Sequence, residues 1–394
     1  MSQHGSQDSE RFSLVVGGPF HAGLRRLRLT GPDQLPTRLA ALLLALVAWA
    51  PPAALALAQA TFDNRVESWH YFTDLTVYAR FLIAISVMIA TERYADGRVI
   101  LLTRQFKEAQ LVGEDGRLEL GSALAVADRR SSSTTAELVI LLVALGWSVF
   151  IARYTVEVST VAWEGRSVNG HIVLSWAGEA ACFLSNPLFL FLGLRWVWRF
   201  IVWATLLNRI ARLPLQLAPT HPDRCAGLGF LAIFPSIFIG FVFALSCVIS
   251  ASMLKEIAVH EVDAQTVWLA ITIWILICLV LVLGPLLVFV RPLYLARERA
   301  LLDYGRLASQ HHLAFQRKWI GGPKADGADA ASGDPNLAST LSGSVAAARS
   351  MRILPLERMA VTQLAIAAAL PMLAVVSTQV PLMDIAKWIF GKIV

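Results

Sequence analysis

Residues 267–290 read VWLAITIWILICLVLVLGPLLVFV, a stretch in which no side chain carries a charge. A helix needs roughly 20 apolar residues to cross the hydrocarbon core of a bilayer, so this stretch predicts a membrane span. The composition agrees, because 56% of the 394 residues are hydrophobic, only 16% are charged, and the mean hydropathy is +0.59. Soluble domains carry about 25% charged residues. The sequence therefore predicts an all-α membrane protein.

Six further apolar blocks are long enough to cross a bilayer, which gives a polytopic protein with about seven helices. The seven predicted spans are 39–60, 75–91, 138–154, 173–202, 228–254, 267–290 and 359–380. Proline cannot donate a backbone hydrogen bond and bends a helix. We therefore expect kinked helices at the prolines that lie within these blocks, namely Pro51, Pro52, Pro187, Pro235, Pro285 and Pro371.

The basic residues are distributed unevenly between the two predicted sides of the membrane. With the N-terminus inside, 27 Lys and Arg lie on the cytoplasmic side and six on the other. This asymmetry predicts that the N-terminus is in and the C-terminus is out. The net charge of +6 then indicates anionic lipid at the cytoplasmic face as a partner, and not nucleic acid. The expected location is a bacterial inner membrane.

The first block ends in small residues that would suit signal-peptide cleavage after Ala60. The polar segment before it is much longer than the short basic region of a signal peptide. We therefore favour a retained first helix that is kinked at Pro51 and Pro52, and keep cleavage as the alternative.

The segments outside the spans are small, and none could fold as an independent catalytic domain. Near-helical alternation of apolar and charged residues in 92–135 predicts two amphipathic helices that are broken at Gly113–Gly116. Residues 320–357 are predicted to be a flexible linker, since their Gly, Ala, Ser and Asp content cannot bury a core. The remaining parts are a mobile cytoplasmic tail at 1–38, a cytoplasmic continuation of helix six at 291–319, and helix seven with an amphipathic periplasmic end at 358–394.

Two charged residues lie inside predicted spans. Arg80 and Glu179 should sit at similar depth, and Asn186 precedes Pro187 near the middle of the fourth span. Ionisable residues within a membrane indicate function by default, so these three residues predict a polar cavity. The alternative is that each charge extends independently to the outer interface.

Residues 219–230, PTHPDRCAGLGF, interrupt the apolar sequence before the fifth span. Asp223 stands where a helix N-cap is expected, and Gly227 with Gly229 predicts a close approach of another helix. The alternative interpretation makes His221 and Asp223 a protonatable pair at the cytoplasmic mouth of a cavity. The structural interpretation is favoured.

Aromatic and basic residues alternate at the end of the fourth span. Trp196, Trp198 and Trp203 with Arg195 and Arg199 predict an anchor among the cytoplasmic headgroups.

Motifs for several reactions are absent from the sequence. It contains no HExxH, GxGD, GxSxG, Walker A or CxxC motif, and its four cysteines show no metal or disulfide spacing. We therefore expect no enzyme activity and no cofactor.

The residues His221-Pro222-Asp223 followed by Gly227-Leu228-Gly229-Phe230 resemble an HPDxxxGLGF motif. In this respect the chain is similar to an uncharacterised family of bacterial multi-pass inner-membrane proteins. The similarity extends from the second helix onward, with Ala226 in place of a second glycine and Ser131 in place of an aspartate. The resemblance implies topology and no activity.

Three functions compete. A transporter or channel for an ion or small solute is placed first, and it requires Arg80, Glu179 and Asn186 to surround one cavity. The alternative is a membrane scaffold or sensor that binds an unknown cytoplasmic protein, with a packed bundle and a partner surface on 92–135 and 291–319. An intramembrane enzyme comes last. Association into a homo-oligomer is left open.

Overall fold

The computed structural model describes residues 12–31, 33, 35–109, 111–158, 163–168, 171–260, 262–319 and 335–379. This part of the chain is helical apart from one antiparallel hairpin, in which Gly165 pairs with Leu174. The α-helices and strands in chain order are α1 (Gly18–Arg26), α2 (Arg38–Phe62), α3 (His70–Thr73), α4 (Leu75–Val77), α5 (Ile85–Ala90), α6 (Glu92–Glu108), α7 (Glu114–Ser131), α8 (Thr134–Val158), β1 (Gly165–Val168), β2 (His171–Leu174), α9 (Trp176–Ala180), α10 (Asn186–Ile210), α11 (Ile239–Val259), α12 (Ala264–Leu283), α13 (Val290–Trp319), α14 (Pro335–Ser350), α15 (Arg358–Ala369) and α16 (Leu373–Gln379).

Within the described residues, seven continuous helical stretches are long and apolar enough to cross a membrane. These spans 1 to 7 are Arg38–Phe62, Leu75–Glu108, Thr134–Arg153, Trp176–Ile210, Gly229–Val259, Ala264–Ala314 and Arg358–Thr378. The all-α, seven-helix architecture is thereby confirmed, and the chain is a multi-pass membrane protein. Its sidedness stays a prediction.

Several spans contain segments that are not α-helical. Proline removes a backbone donor, so the helix around it adopts another hydrogen-bonding pattern. The 3₁₀ segments are Val66–Trp69, Gly229–Phe238 with Pro235, Gly284–Phe289 with Pro285 and Leu370–Met372 with Pro371, and the π-helical segments are Ala181–Ser185, just before Pro187, and Tyr78–Ala84. Tyr78–Ala84 has no proline, and α2 stays α-helical through its two prolines.

Helix α10 occupies the centre of the bundle and packs against α8, α7 and α5. Its large aromatic rings fill the interior: Trp196 stacks on Phe241 with ring centroids 5.8 Å apart, and Trp203 stacks on Phe234 at 6.4 Å. In helix α8, in contrast, only 17% of the membrane-spanning apolar stretch is buried inside the protein. The aromatic core therefore centres on α10, while α8 presents an apolar surface that suits lipid.

The loops form two end faces. We call the end with residues 12–31, 35–37, 92–109, 111–133, 211–228, 291–319 and 335–357 the N-terminal face. Its segments contact one another: Val112 bridges to Leu215, and the Arg352 N–H donates to the Arg224 carbonyl over 2.7 Å.

The opposite face carries residues 63–74, 163–175 and 255–263. There the Lys255 ammonium lies 2.8 Å from the Asp74 carboxylate, which also accepts a hydrogen bond of 3.2 Å from the Trp163 indole. Burial raises the pKa of Asp74, but hydrogen bonds from Lys255 and Thr76 outweigh burial and lower it overall.

Two segments differ from their predicted character. Residues 12–31 are not a free tail: they contain α1, and Phe12, Leu14 and Leu24 are buried. The predicted linker contains α14, which packs along α13. The extension of helix six and the two amphipathic helices after span 2 are present, the latter separated at residues 109–113. The amphipathic C-terminal end predicted at 380–394 lies outside the described residues.

Two glycines of span 4 provide a test of packing. A Cβ at Gly178 would collide with the Glu164 carbonyl oxygen, whereas one at Gly193 would meet no atom within 4 Å. Gly178→Ala should therefore lower the free energy of unfolding by about 1–3 kcal/mol. Gly193→Ala should be neutral or stabilising by up to about 1 kcal/mol, because alanine favours a helix. Thermal unfolding in detergent measures both, and equal destabilisation would contradict this packing.

Candidate functional site

Helix α10 carries two buried arginines one turn apart. Arg195 and Arg199 are 5% and 4% exposed, although the helix is otherwise strongly apolar. A guanidinium cannot lose its charge at ordinary pH, so burial requires anionic partners nearby. Those partners come from two other spans: Glu92 is the first residue of α6, and Glu137 lies in the first turn of α8.

The four side chains form one ion-pair network. Arg199 Nη1 lies 2.7 Å from Glu92 Oε1, and Arg195 Nη1 lies 3.5 Å from the same oxygen. Arg195 Nε donates to Glu137 Oε1 over 3.1 Å. All four side chains are at most 6% exposed. The network therefore connects spans 2, 3 and 4 through charges that are shielded from solvent.

The N-terminal segment completes the network. The backbone N–H of Phe20 donates to Glu137 Oε2 over 2.9 Å, and the Phe20 ring lies 4.5 Å from the Arg195 guanidinium carbon. Ser13 donates its hydroxyl to Asp96, a third buried carboxylate, over 2.5 Å. Gly18 lies so close to Glu137 that a Cβ would be 2.6 Å from its carboxylate oxygen. Residues 12–26 thus cover the buried charges.

Two guanidinium nitrogens in the network, Arg195 Nη1 and Arg199 Nη2, are buried without a hydrogen-bond partner among the described residues. Buried N–H groups of this kind are usually satisfied by an ordered water or a polar ligand. Chemically, the cluster can hold opposite charges apart from bulk water and rigidly fix three helices.

The tryptophan–arginine anchor predicted at 195–203 is wrong in its main part. Trp196 and Trp203 are almost fully buried in the bundle, and both arginines are paired internally. Of this group, Trp198 alone is partly exposed, and its indole N–H donates to the Arg130 carbonyl over 3.0 Å. Glu92 and Glu137 lie close enough to compensate the charges of Arg195 and Arg199 inside the bundle. The two arginines therefore do not extend to the lipid headgroups.

The candidate site residues predicted from the sequence did not include Glu92, Asp96, Glu137 or Ser13. A signal was available: Arg195 and Arg199 lie four residues apart in an apolar helix, which puts both on one face. Two cations on a buried face require carboxylates, and Glu92 and Glu137 are acidic residues at the ends of neighbouring spans.

The three residues of the predicted polar cavity lie on three different segments, and the cavity itself stays a prediction. Arg80 is half-buried in the π-helical segment, Glu179 is exposed on α9, and Asn186 is half-buried at the start of α10. Within the part of the chain that the structure describes, no ion pair or hydrogen bond joins Arg80 to Glu179. Helix α2 packs against both of their segments. Arg80 instead interacts electrostatically with Glu164 on the opposite face.

The His-Pro-Asp stretch forms a turn organised around Asp223. Its Oδ1 accepts the N–H groups of Cys225 at 2.7 Å and Gly227 at 3.2 Å, while Oδ2 accepts that of Gly229 at 2.8 Å. His221 Nδ1 lies 2.9 Å from Oδ1 and stays largely exposed. Asp223 thus accepts the N–H of Gly229, the first residue of span 5, although Leu228 and not Asp223 occupies the N-cap position.

Gly227 is explained by its backbone conformation and Gly229 by the space that Asp223 needs, and neither by the expected contact with another helix. Gly227 has a φ of +93°, a left-handed conformation that glycine adopts without strain. A Cβ at Gly229 would lie 2.8 Å from Asp223 Cβ, so its bare Cα lets the carboxylate approach. Ala226 also has a positive φ, +54°. Arg352 closes the turn by donating to the Asp223 carbonyl over 3.3 Å.

These features define a class: a multi-pass, all-α membrane protein with a buried ion-pair network and an aspartate-centred turn. No group of three His, Cys, Asp or Glu suited to a metal ion occurs among the described residues, and all four cysteines are free. Comparisons with protein-family models, curated proteins and solved structures found no match to this chain. The resemblance through the HPDxxxGLGF motif therefore stays a prediction.

Breaking the network should be costly. Arg199→Leu leaves Glu92 buried with a weaker partner, and the loss of one member of a buried pair typically costs about 3–5 kcal/mol. Arg104→Leu provides the control, because the Arg104–Glu108 pair is exposed and should contribute below about 1 kcal/mol. Thermal unfolding in detergent measures both variants. A similar small loss in each would show that the network does not stabilise the bundle.

Asp223 should make the free energy of unfolding depend on pH in the acid range. Burial raises its pKa, but the backbone N–H groups of Cys225, Gly229 and Gly227 and the His221 side chain outweigh burial and lower it overall. A lowered pKa stabilises the fold fully above the ordinary value of about 3.9, and this stabilisation is lost as the pH falls below it. Asp223→Asn should reduce stability at neutral pH by roughly 1–2 kcal/mol and flatten the acid-side decline. His221→Ala is the control and should keep that decline.

Proposed function

We propose that the protein is a membrane scaffold or sensor that presents a helical surface to a cytoplasmic protein partner. This proposal rests on a contrast between two parts of the protein. The bundle interior is filled by aromatic rings and internally paired charges. Helix α13, in contrast, projects beyond the bundle with an exposed apolar face. Among the described residues no ion pair or hydrogen bond joins Arg80 to Glu179, so no such contact supports a transport cavity at these residues.

The proposed partner surface is a stripe on α13 formed by Leu302, Arg306 and Leu313. Spacings of four and seven residues place these side chains on one helical face. The two leucines are 70% and 52% exposed, and Arg306 is exposed as well. An exposed apolar row at helical spacing, outside the apolar part of a span, is typical of a surface that binds another helix.

The other side of α13 is fixed by α14. Arg297 donates to the Arg349 carbonyl over 2.8 Å, and His311 and Ala348 are buried. His311 is therefore part of the packing between the two helices. A supported helix presents its outer stripe in a fixed geometry, which lowers the entropic cost of binding.

Charge indicates the kind of partner. Between Arg291 and Trp319 the chain has six Lys or Arg and two Asp or Glu. A groove of about 530 Å³ beside the stripe, between residues 213–219 and the first half of α13, adds both apolar lining and the charges of Arg299 and Asp303. We infer that the partner offers an amphipathic helix with an acidic polar side.

Site-specific photo-crosslinking tests this proposal. A photoreactive residue at Ser309, in the middle of the stripe, should give one discrete adduct in intact cells. Leu302→Asp with Leu313→Asp should abolish that adduct. Leu307→Asp is the matched control: Leu307 is also exposed, at 49%, but is turned away from the stripe on the same helix. An adduct of twice the chain mass, or one that survives the double substitution, would contradict a cytoplasmic partner at this stripe.

A transporter or channel is the second candidate, favoured by two buried guanidinium nitrogens of the network that make no hydrogen bond to any described residue. Labelling of single cysteines decides between the two functions. In a background without the four native cysteines, Arg80→Cys and Asn186→Cys should resist a membrane-impermeant maleimide. Leu118→Cys on the N-terminal face and Phe62→Cys on the opposite face, 85% and 84% exposed, report access from each side. Labelling of both inner positions would indicate a water-filled path and overturn the scaffold proposal.

A further inference from the structure

A second site lies where span 3 begins, apart from both the ion-pair network and the α13 stripe. An open pocket of about 580 Å³ separates the end of α7, the start of α8 and Trp198 of α10. One end of the pocket is lined by Arg129, Arg130 and Ser133, and the other end by Val139, Ile140 and the Trp198 ring. The pocket is therefore polar at one end and apolar at the other.

The position of the pocket matches the boundary between headgroups and hydrocarbon. Span 3 begins at Thr134, directly after the two arginines. Since a helix rises 1.5 Å per residue, Ile140 lies roughly 9 Å deeper than Thr134. Tryptophan prefers this boundary, and the indole N–H of Trp198 is bound to the Arg130 carbonyl over 3.0 Å, which fixes the ring there.

The charge of the pocket is unbalanced. Arg129 and Arg130 are exposed, and no ion pair to either one occurs in the described part of the chain. No Asp or Glu lines the pocket. Of the nearest carboxylates in sequence, Glu137 is engaged by Arg195, and Asp128 lies outside the lining. A headgroup with a free ammonium would find no carboxylate here, whereas a phosphate would find two guanidinium groups.

The apolar end opens onto a surface suited to acyl chains. Span 3, formed by α8, is the least buried of the seven spans, since only 17% of its apolar stretch is buried inside the protein. Leu138 and Leu142 next to the pocket are 55% and 60% exposed, and Val139 is 53% exposed. A molecule whose phosphate lies at the arginines would therefore continue directly along apolar side chains.

We propose that this pocket is a binding site for one anionic phospholipid, with its phosphate between Arg129 and Arg130 and an acyl chain along Val139 and Ile140. The site does not depend on the proposed partner surface. It adds a defined position to the general attraction of a basic face for anionic lipid, since a diffuse attraction requires no pocket.

Native mass spectrometry of the full chain in detergent, titrated with phosphatidylglycerol, tests the site. Arg129→Gln with Arg130→Gln should weaken the tightest bound lipid about thirtyfold, because two cations near the surface are lost. Arg25→Gln with Arg26→Gln is the matched control: these adjacent arginines are exposed on α1 at the same face and should leave that lipid unchanged. Equal weakening in both variants would show diffuse attraction and overturn the proposal.

A second variant separates the pocket from its charge. Ala136 lines the pocket, so Ala136→Leu should fill it and displace the lipid while both arginines remain. Thermal unfolding verifies that each variant is folded. Phosphatidylcholine should bind the unmodified protein much more weakly than phosphatidylglycerol. Equal binding of the two lipids would contradict the site, as would displacement of phosphatidylglycerol by an equal concentration of inorganic phosphate, since the acyl chain would then contribute nothing.

Discussion

A guanidinium that leaves water for the interior of a helical bundle loses several kcal/mol of solvation unless anionic partners replace it. Arg195 and Arg199 impose this constraint on the whole structure, because they are buried in the middle of α10, which packs against α8, α7 and α5. Their partners Glu92 and Glu137 begin α6 and α8. The ends of these two helices must therefore meet at one point, and the register of spans 2, 3 and 4 follows from that meeting.

The same constraint explains the folded N-terminal segment. Each buried carboxylate has more acceptor capacity than the arginines satisfy, and the Phe20 N–H and the Ser13 hydroxyl occupy part of the rest. Phe20 also lies over Arg195, which adds a cation–π contact. The segment is thus bound both by the polar chemistry of the bundle and by its own buried apolar residues, Phe12, Leu14 and Leu24. A polar composition that predicts disorder in isolation is compatible with order when the partners are buried charges.

The sequence was informative where one local rule decides the outcome. Apolar length predicts the spans, Pro235 and Pro371 mark departures from α-helix, and the hydrogen bond that Asp223 accepts from the start of span 5 follows from its place before an apolar run. Longer-range pairings were not accessible in this way. Arg80 and Glu179 share a predicted depth but not a rotational position, and depth alone cannot tell which faces meet. For the same reason Arg195 was assigned to the headgroups: its carboxylate partner is 58 residues away along the chain.

The distribution of charge favours a scaffold over a conduit on physical grounds. A transport path requires polar groups whose partners exchange during the cycle, whereas Glu92 pairs with two arginines of α10 and Glu137 is bonded to groups of α10 and α1. Opening such a network exposes several charges at once to a low dielectric, at a cost of several kcal/mol for each ion. Cations without an ion-pair partner among the described residues lie elsewhere, for example Arg129 and Arg130 beside the pocket at the start of α8 and Arg306 on α13. Charges in these positions remain in contact with water and are available for lipid and protein partners without any rearrangement of the bundle.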